Sequence, residues 1–316
     1  MLAFRRACEL EAWPAERRWL VEGLWADRAV GIVGGEPKCC KSFLALDLAV
    51  AVAAGVPCLR RFAPRQTGPV LLFAAEDALH VVRQRLFGIC RAAGVAFETL
   101  DVSVITTPVV RLDLEKDRRL LEETVGALRP KLLVLDPFVR LHRVDENAAA
   151  DVAPLLAYLR QLERRFQTAV LLVHHSRKGA SHARAGQALR GSSELHAWGD
   201  SNLYLRRKGD ALLLTVEHRA AACPGDLALE LLPRGDAIAL HVLDVAPEHL
   251  EKAQDAPSPR ERIERALAEA SVPLTLRELR DASRMRTATL CDSLAGLTEE
   301  GRVRKDGAAY RLAADA

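Results

Sequence analysis

The sequence lacks the features that mark membrane-spanning, secreted and metal-ribbon proteins. No apolar run reaches the roughly 18–20 residues that cross a bilayer, and the longest, residues 43–56, is interrupted by Asp47. The first residues contain acids and no apolar core, so we expect no signal peptide and no membrane partner. The 7 cysteines form no Cys-x-x-Cys pair, which argues against a zinc ribbon or a disulfide scaffold and predicts a reducing, cytoplasmic setting.

A strong charge of either sign is missing as well. The chain carries 45 Lys and Arg against 42 Asp and Glu, a net charge of +3, so any contact with nucleic acid requires a local basic patch. Its 316 residues, 49% hydrophobic and 28% charged, have the size and composition of two globular domains, or of one large domain with a small one.

Short apolar runs predict the core of the fold. Four nearly continuous runs are typical of parallel strands buried on both faces: residues 30–33, 70–73, 132–135 and 170–173. Helical patterns follow the first three, at residues 42–54, 78–93 and 148–166. This alternation predicts an α/β, doubly wound, mostly parallel sheet. Four later runs, separated by Gly-Asp turns, predict antiparallel edge strands: residues 202–206, 212–217, 227–232 and 237–242.

The composition divides the chain into an N-terminal segment (1–22), a core (23–246), a linker (247–258) and a small C-terminal domain (259–316). The linker is polar and contains two prolines. In the last domain, residues 260–270 and 287–298 have helical patterns, and Thr275 with Glu278 forms a capping box for a helix between them. Asp306 and Gly307 predict a type I′ hairpin turn. Three helices and a hairpin predict a winged helix, a helix-turn-helix variant.

Residues 34–42, GGEPKCCKS, lie between the first strand and the first helix and match the phosphate-loop pattern G-x-x-x-x-G-K-[ST] except at Cys40. We expect backbone N–H groups to bind the phosphates of ATP, Lys41 to reach the β- and γ-phosphates, and Ser42 to ligate Mg²⁺. The predicted nucleotide-binding residues are Gly35, Glu36, Pro37, Lys38, Cys39, Cys40, Lys41, Ser42 and Phe43.

Cys40 stands where the pattern has glycine. Its Cβ intrudes where the backbone approaches phosphate and restricts the backbone angles. The loop therefore either binds nucleotide in slightly altered form or is too altered to bind. A helix N-terminus and Lys41 should also lower the thiol pKa of Cys39 and Cys40, which makes a redox switch conceivable. The alternative is that both are small residues that fill the loop.

Acidic residues follow two of the predicted strands. Because ligands bind at the carboxyl ends of parallel strands, Glu76 is placed to orient the water that attacks the γ-phosphate. Asp77, beside it, suits a helix N-cap, which is the structural alternative for this acidic pair. Asp136 ends the run Leu-Leu-Val-Leu in the manner of a Walker B strand and should hold the Mg²⁺ shell opposite Ser42.

Histidines and arginines complete the candidate site. Neighbours on a strand point in opposite directions, so one of His174 and His175 faces the nucleotide, and we expect it to be His175. Arg190, in a loop rich in Gly, Ala and Ser, and Arg219, after a predicted edge strand, are candidates for an arginine finger that reaches a neighbouring subunit. The alternative is that they are surface residues without a role.

These motifs together resemble those of the RepA-like hexameric helicases, within the RecA/DnaB-type P-loop ATPases. The matching stretches occur in order over about residues 20–245: 35–42, 74–77, 134–136, 140–142, 145–147, 173–175, 178–179 and 190–193. The resemblance implies a RecA-like core, a homo-oligomer such as a hexameric ring, ATP hydrolysis at its subunit interfaces and action on single-stranded DNA.

The resemblance places Lys41, Ser42, Glu76, Asp136 and His175 at matching catalytic positions. The chain departs from it at two points. One is Cys40, and the other is the sequence Trp-Gly-Asp at residues 198–200, where plasmid RepA helicases carry an interface arginine. The finger is then elsewhere, such as Arg219, or missing.

Basic residues predict where DNA binds. In the core, they lie in the loop that begins with Arg177 and Lys178. In the C-terminal domain, they open the recognition helix and line the wing: Arg284, Arg286, Arg302, Arg304 and Lys305. Residues 257–316 carry 11 Lys and Arg against 10 Asp and Glu, so a protein-interaction role for this domain stays open.

Three functions follow from the sequence. The first is a DNA-associated ATPase, a helicase or translocase in replication or mobile-element biology. The second is a DNA-binding regulator that senses nucleotide with weak or no hydrolysis, because of Cys40. The third is a scaffold whose nucleotide site is inactive.

Overall fold

The computed structural model describes residues 4–9, 14, 18–175, 193–208, 211–234, 237–244, 259–270, 272–283, 285, 287–307 and 309–313. The chain divides into two compact units, Met1–Pro247 and Glu248–Ala316. The predicted linker falls outside the described residues. None of the described helices is long and apolar enough to cross a membrane.

The first unit contains a mixed α/β arrangement. Its strands are β1 (Trp19–Val21), β2 (Trp25–Ala26), β3 (Val30–Gly35), β4 (Val70–Ala74), β5 (Val102–Val104), β6 (Leu132–Asp136), β7 (Ala169–His175), β8 (Ser201–Lys208), β9 (Ala211–His218), β10 (Leu227–Arg234) and β11 (Ala237–Val242). Its helices are α1 (Lys41–Ala54), α2 (Leu79–Ala93), α3 (Glu115–Leu128), α4 (Ala149–Phe166) and α5 (Ser193–Trp198).

Within the described residues, nine strands form one sheet in the order β11-β10-β9-β8-β3-β7-β6-β4-β5. The six strands from β8 to β5 are parallel, and β9, β10 and β11 extend the sheet in antiparallel fashion. The predicted α/β, doubly wound, mostly parallel sheet with antiparallel edge strands is therefore confirmed.

Both faces of the central strands β3, β4, β6 and β7 are buried, which explains their continuous apolar sequences. On β6, Leu132 and Val134 pack into the cluster that contains α1 and α2, whereas Leu133 and Leu135 pack into the cluster that contains α3 and α4. Successive side chains of a strand point to opposite faces, so one strand serves two cores. The sheet is thereby fixed between two helical layers.

The register of the sheet brings the carboxyl ends of its central strands together. Gly35 on β3 pairs with His175 on β7, and Ala74 on β4 pairs with Asp136 on β6. The loop from β3 to α1 lies at this same edge. The fold thus gathers the ends of four strands beside the predicted phosphate loop.

Several short elements of the first unit do not appear among the predicted ones. β1 pairs with β2, and Leu20 and Val21, which the sequence assigned to the N-terminal segment, are buried in the core. β5 has only three residues. α3 buries Leu121 and Val125 on one side, a four-residue spacing that the sequence does contain.

The second unit consists of three helices and a small sheet. The helices are α6 (Pro259–Glu269), α7 (Leu276–Ser283) and α8 (Thr287–Glu299), and the described strands β12 (Leu274–Thr275), β13 (Val303–Asp306) and β14 (Ala309–Leu312) pair in the order β12-β14-β13. Leucines of the helices and Val303 form the core. The capping box is present, because the Thr275 N–H donates to Glu278 Oε2 at 2.8 Å and the Glu278 N–H donates to Thr275 Oγ1 at 3.4 Å.

One local prediction for this unit was wrong. Asp306 pairs with Ala309 across the hairpin, so the two-residue loop begins at Gly307, one residue later than expected. Gly307 has a positive φ of 61°, as the first loop position of such a turn requires. The buried side chain of Val303 fixes the register on the core side.

Candidate functional site

The loop between β3 and α1 is held in a strained, specific backbone conformation. Gly35 has φ 151°, and a Cβ there would lie 2.1 Å from the Leu205 carbonyl oxygen, so this position requires glycine. Lys38 and Cys40 have φ values of 63° and 65°. Cys40 is the residue before α1, whose first N–H groups face the end of the loop. Such a turn into a helix N-terminus is suited to an anion.

Cys40 adopts the left-handed conformation that explains why the phosphate-loop pattern has glycine there. Its φ of 65° and ψ of 25° place a residue with a Cβ in a region that costs about 1–2 kcal/mol relative to glycine. Cys40 therefore keeps the backbone conformation that a glycine would adopt at this position, at the cost of local strain. It also adds a half-buried side chain to the loop.

We expect Cys40→Gly to raise the affinity for Mg²⁺-ATP about three- to tenfold, because removal of the side chain opens the approach of phosphate oxygens to the loop backbone. The melting temperature should change little, because two effects on stability oppose each other. Glycine relieves the strain of the folded loop, but it also raises the conformational entropy of the unfolded chain. Titration calorimetry and thermal melting measure the two effects. Cys39→Ala is the matched control, and an unchanged or weaker affinity in Cys40→Gly contradicts the expectation.

The prediction of low thiol pKa values was wrong. Burial raises the pKa of the Cys39 thiol, although the nearby Lys41 ammonium opposes this effect. Burial also raises the pKa of the Cys40 thiol, against the charges of Arg207 and Arg85. Desolvation of a thiolate outweighs the neighbouring cations here, so both side chains stay protonated and unreactive near neutral pH. This supports the view that they fill the loop.

Lys41 lies inside the loop, 4% exposed. Its Nζ donates a hydrogen bond to the Glu36 carbonyl oxygen at 2.6 Å, so the loop backbone holds the ammonium group in place. Burial lowers the pKa of Lys41, whereas the charge of Asp136 raises it. The side chain is thus preorganised for an anion in the loop.

Asp136 ends β6 next to the loop and is buried. Burial raises its pKa to about 6, and a hydrogen bond with the Ser42 side chain partly offsets this rise. A hydroxyl and a carboxylate side by side are hard oxygen ligands, the kind that Mg²⁺ prefers. No group of three or more His, Cys, Asp or Glu side chains able to hold a metal occurs among the described residues. The pair therefore fits an ion whose remaining ligands are phosphate and water.

The two acids after β4 are both engaged by arginines. Glu76 Oε1 accepts a hydrogen bond from Arg140 Nε at 2.8 Å. Asp77 forms an ion pair with Arg85. α2 begins only at Leu79 and no side chain caps it, so Asp77 is not the helix cap that the sequence suggested. Glu76 influences the pKa of Asp136 electrostatically, which places it at the same edge of the sheet.

The histidine pair divides between two environments. His175 is half-buried beside the loop, and burial, followed by the charge of Lys41, lowers its pKa. It is therefore neutral at pH 7. His174 is 1% exposed and packs towards the Phe138 ring, with Nδ1 3.9 Å from Glu146 Oε1. The side chain on the loop side is His175, the residue that the sequence favours.

A buried acid–base cluster, to which sequence reasoning gave no role, adjoins this pair. The His142 ring packs against the Phe138 ring at 4.5 Å between centroids with an interplanar angle of 57°, and its Nε2 lies 3.5 Å from Glu146 Oε1. Both residues lie within stretches that match the helicase motifs. Burial tends to raise the pKa of Glu146, but the adjacent His142 and His174 side chains outweigh burial, so its pKa is lowered.

Two arginines beside the loop were also missed. Arg207, near the end of β8, donates from Nη2 to the Lys38 carbonyl oxygen at 3.2 Å. Arg85 on α2 lies over the Phe43 ring, 5.2 Å from its centroid. A pair of arginines at residues 206–207, near a strand end, was the signal for the first. The second had none, because its position depends on how α2 packs on α1.

Arg219, the candidate for an arginine finger that lies among the described residues, is far from the phosphate loop of its own chain. Arg219 follows β9 at the opposite edge of the sheet, since His218 pairs with Ser201, and Ser201 pairs with Gly31 at the start of β3. Its Nη1 lies 3.4 Å from Asp200 Oδ1. The other candidates in the core, Arg177, Lys178 and Arg190, lie outside the described residues, as do Arg284 and Arg286 of the second unit.

The predicted wing residues have different environments in the second unit. Arg302 Nη2 pairs with Glu264 Oε1 at 2.8 Å, which neutralises one expected DNA contact. Arg304 is exposed and lies opposite Arg311 across the hairpin. Lys305 Nζ lies 5.9 Å from the centroid of the Tyr310 ring. Arg311 on β14 lies 3.7 Å from Asp306 in an ion pair, so the positive charge of this hairpin is concentrated on β13.

Comparison with known proteins places this site in a family. One solved structure that the chain resembles is a KaiC-like protein from the hyperthermophilic archaeon Pyrococcus horikoshii OT3, with 15% identity over 70% of this chain and 93% of that one and a TM-score of 0.48. The sequence model of an AAA domain family matches residues 3–181, more than half of the chain. The chain therefore belongs to this AAA domain family and is an ATP-binding P-loop ATPase.

Proposed function

We propose that the chain hydrolyses Mg²⁺-ATP as a DNA-stimulated motor, a helicase or translocase of the RepA-like type that acts as a homo-oligomer. The observation that carries this proposal is the convergence of Lys41, Ser42, Glu76, Asp136 and His175 at one edge of the sheet. Each has a group suited to one part of phosphoryl transfer, and the five residues come from widely separated parts of the chain.

The side chains divide the reaction among them. Ser42 and Asp136 are the residues that would hold Mg²⁺, which would supply positive charge to the phosphates of ATP. Lys41 donates to phosphate oxygens once they replace the Glu36 carbonyl as its partner. Glu76 orients the attacking water and takes its proton as the water oxygen bonds to the γ-phosphorus and the bond to ADP breaks. Neutral His175 donates a hydrogen bond near the γ-phosphate.

The DNA part of the proposal rests on the second unit. Its three helices and small sheet are the secondary-structure elements of a winged helix, in which one helix and the hairpin contact DNA. Arg304 and Lys305 supply positive charge on that hairpin, whereas Arg311 Nε lies 3.7 Å from Asp306 Oδ2 in an ion pair. In a ring, Arg219 is the described candidate for a finger that reaches the neighbouring subunit, because its own loop is out of reach.

A second function is favoured by two specific observations. The strained Cys40 side chain and the ion pair that engages Glu76 both oppose turnover in the free chain. A DNA-binding regulator that senses nucleotide without appreciable hydrolysis has the same site residues. The two functions differ in turnover when DNA is present.

Phosphate release by the full chain with Mg²⁺-ATP, with and without single-stranded DNA, tests the proposal. We expect DNA to accelerate release severalfold, and Lys41→Ala to serve as the background control because it removes the ammonium that contacts phosphate. Binding of nucleotide and DNA without release in either condition favours the regulator.

A further inference from the structure

A buried carboxylate lies between two histidines outside the proposed catalytic residues. The side chains of His142 and His174 are each 1% exposed, and that of Glu146 is 15% exposed. Glu146 Oε1 lies 3.5 Å from His142 Nε2 and 3.9 Å from His174 Nδ1. Burial tends to raise the pKa of Glu146, but the two histidines outweigh it, so the carboxyl group is charged at neutral pH. Because a buried charge is costly without polar neighbours, this arrangement is a specific feature of the fold.

The two histidines belong to the ends of different strands. His142 lies in the segment that follows β6, the strand that ends at Asp136. His174 is on β7, directly before its last residue, His175. The Phe138 ring contacts both, with centroids 4.5 Å from that of His142 and 6.2 Å from that of His174. The cluster therefore links the segment after β6 to the residue that precedes His175.

The end of β7 has a strand partner on one side only. Among the described residues, the ladder between β6 and β7 ends at Leu135 and Leu172. Residues 173–175 pair with β3 but not with β6. On the side of β6, the contacts of the His174 side chain with the cluster take the place of ladder hydrogen bonds.

The segment that carries the carboxylate is itself held in place. Arg111 Nη1 donates a hydrogen bond to the His142 carbonyl oxygen at 2.8 Å. The Leu112 N–H donates to the Leu141 carbonyl oxygen at 2.6 Å. Glu146 thus approaches the histidines from an anchored segment, which is the support that a positioning side chain requires.

We infer that Glu146 is a positioning residue that holds the His174 ring and thereby fixes the end of β7, so that His175 keeps its place beside the phosphate loop. This inference rests on the proposed function, because it gives His175 a support during ATP hydrolysis. A displacement of about 1 Å can lower the rate of a reaction about 10²-fold. Loss of the support should therefore lower turnover and leave intact the binding of nucleotide, which we assign to Lys41 and Ser42.

Steady-state ATP hydrolysis by Glu146→Ala, Glu146→Gln and wild type measures this effect. We expect Glu146→Ala to lower kcat about tenfold and to change KM for Mg²⁺-ATP less than about twofold. Glu146→Gln should lower kcat only about two- to threefold, because its amide oxygen can still accept a hydrogen bond from an imidazole. Asp151→Asn, at an exposed acid in the first turn of α4, is the matched control and should behave as wild type.

A double variant shows whether the effect passes through His175. In a His175→Ala background, Glu146→Ala should lower kcat no further, because the side chain that it positions is gone. A loss of undiminished size in that background, or an unchanged kcat in Glu146→Ala alone, overturns the inference. If Glu146→Ala does not fold, Glu146→Gln in the two backgrounds decides by the same comparison.

NMR of the imidazole C–H groups gives a readout that does not depend on turnover. In the nucleotide-free protein, the His175 signal should shift in Glu146→Ala, whereas the signal of His80, an exposed residue of α2, should not. An unchanged His175 signal overturns the inference even when wild type hydrolyses ATP. Wild type that releases no phosphate contradicts the proposed function instead, and the His175 signal still decides whether Glu146 positions that ring.

Discussion

Asp136→Asn is expected to stabilise the nucleotide-free protein while removing its ATP hydrolysis. Burial raises the pKa of Asp136 to about 6, so the folded chain retains a proton that the unfolded chain loses at a lower pH. Above that pKa, the folded state must keep a buried carboxylate charged, which costs about 3 kcal/mol. Asparagine removes this cost and also removes the negative charge of the side chain that we propose as a ligand of Mg²⁺.

The difference in stability between Asp136→Asn and wild type should depend on pH, because only wild type has an ionisable side chain at this position. The advantage of Asp136→Asn over wild type should be largest near pH 7.5, shrink as pH falls through 6, and vanish below about pH 4, where both side chains are neutral. Thermal melting at a series of pH values measures it. Asp101→Asn, at an exposed aspartate, is the matched control. A lower melting temperature at pH 7.5, or a difference that does not vary with pH, contradicts the account.

Glu76→Gln is expected to lower the turnover of Mg²⁺-ATP by about 10²–10⁴-fold, the contribution typical of a positioned general base. Nucleotide binding should persist, because the residues that we propose to bind the phosphates and the metal ion, Lys41, Ser42 and Asp136, are unchanged. Phosphate release and calorimetric titration on the same samples separate the two effects.

Asp77→Asn is the matched control for this variant, since Asp77 is adjacent and its partner is Arg85 rather than Arg140. We expect it to change turnover less than tenfold. An equal loss in both variants would mean that the acidic pair acts through local structure and that Glu76 has no particular role in the chemistry.

The sequence predicted the parts of this protein that depend on simple periodicity. The continuous apolar runs located β3, β4, β6 and β7, because strands that are buried on both faces have no polar residues at alternate positions. The rule that ligands bind at the carboxyl ends of strands selected Glu76, the Walker B pattern selected Asp136, and the alternation of side chains along a strand led to His175.

The remaining features depend on contacts between distant parts of the chain. The thiol pKa values were predicted with the wrong sign because burial, which the sequence does not state, outweighs the charge of Lys41. The ion pair of Glu76 with Arg140 spans 64 residues and has no signature in spacing. β5, with three residues, is too short for periodicity to reveal.

The most direct test of the account is release of phosphate from Mg²⁺-ATP by the full chain beside Glu76→Gln, with nucleotide affinity measured in the same preparations. The account predicts that both proteins bind Mg²⁺-ATP with similar affinity and that only wild type releases phosphate at an appreciable rate. Binding by wild type without release, or release by both proteins at the same rate, contradicts the assignment of this edge of the sheet as a hydrolytic site.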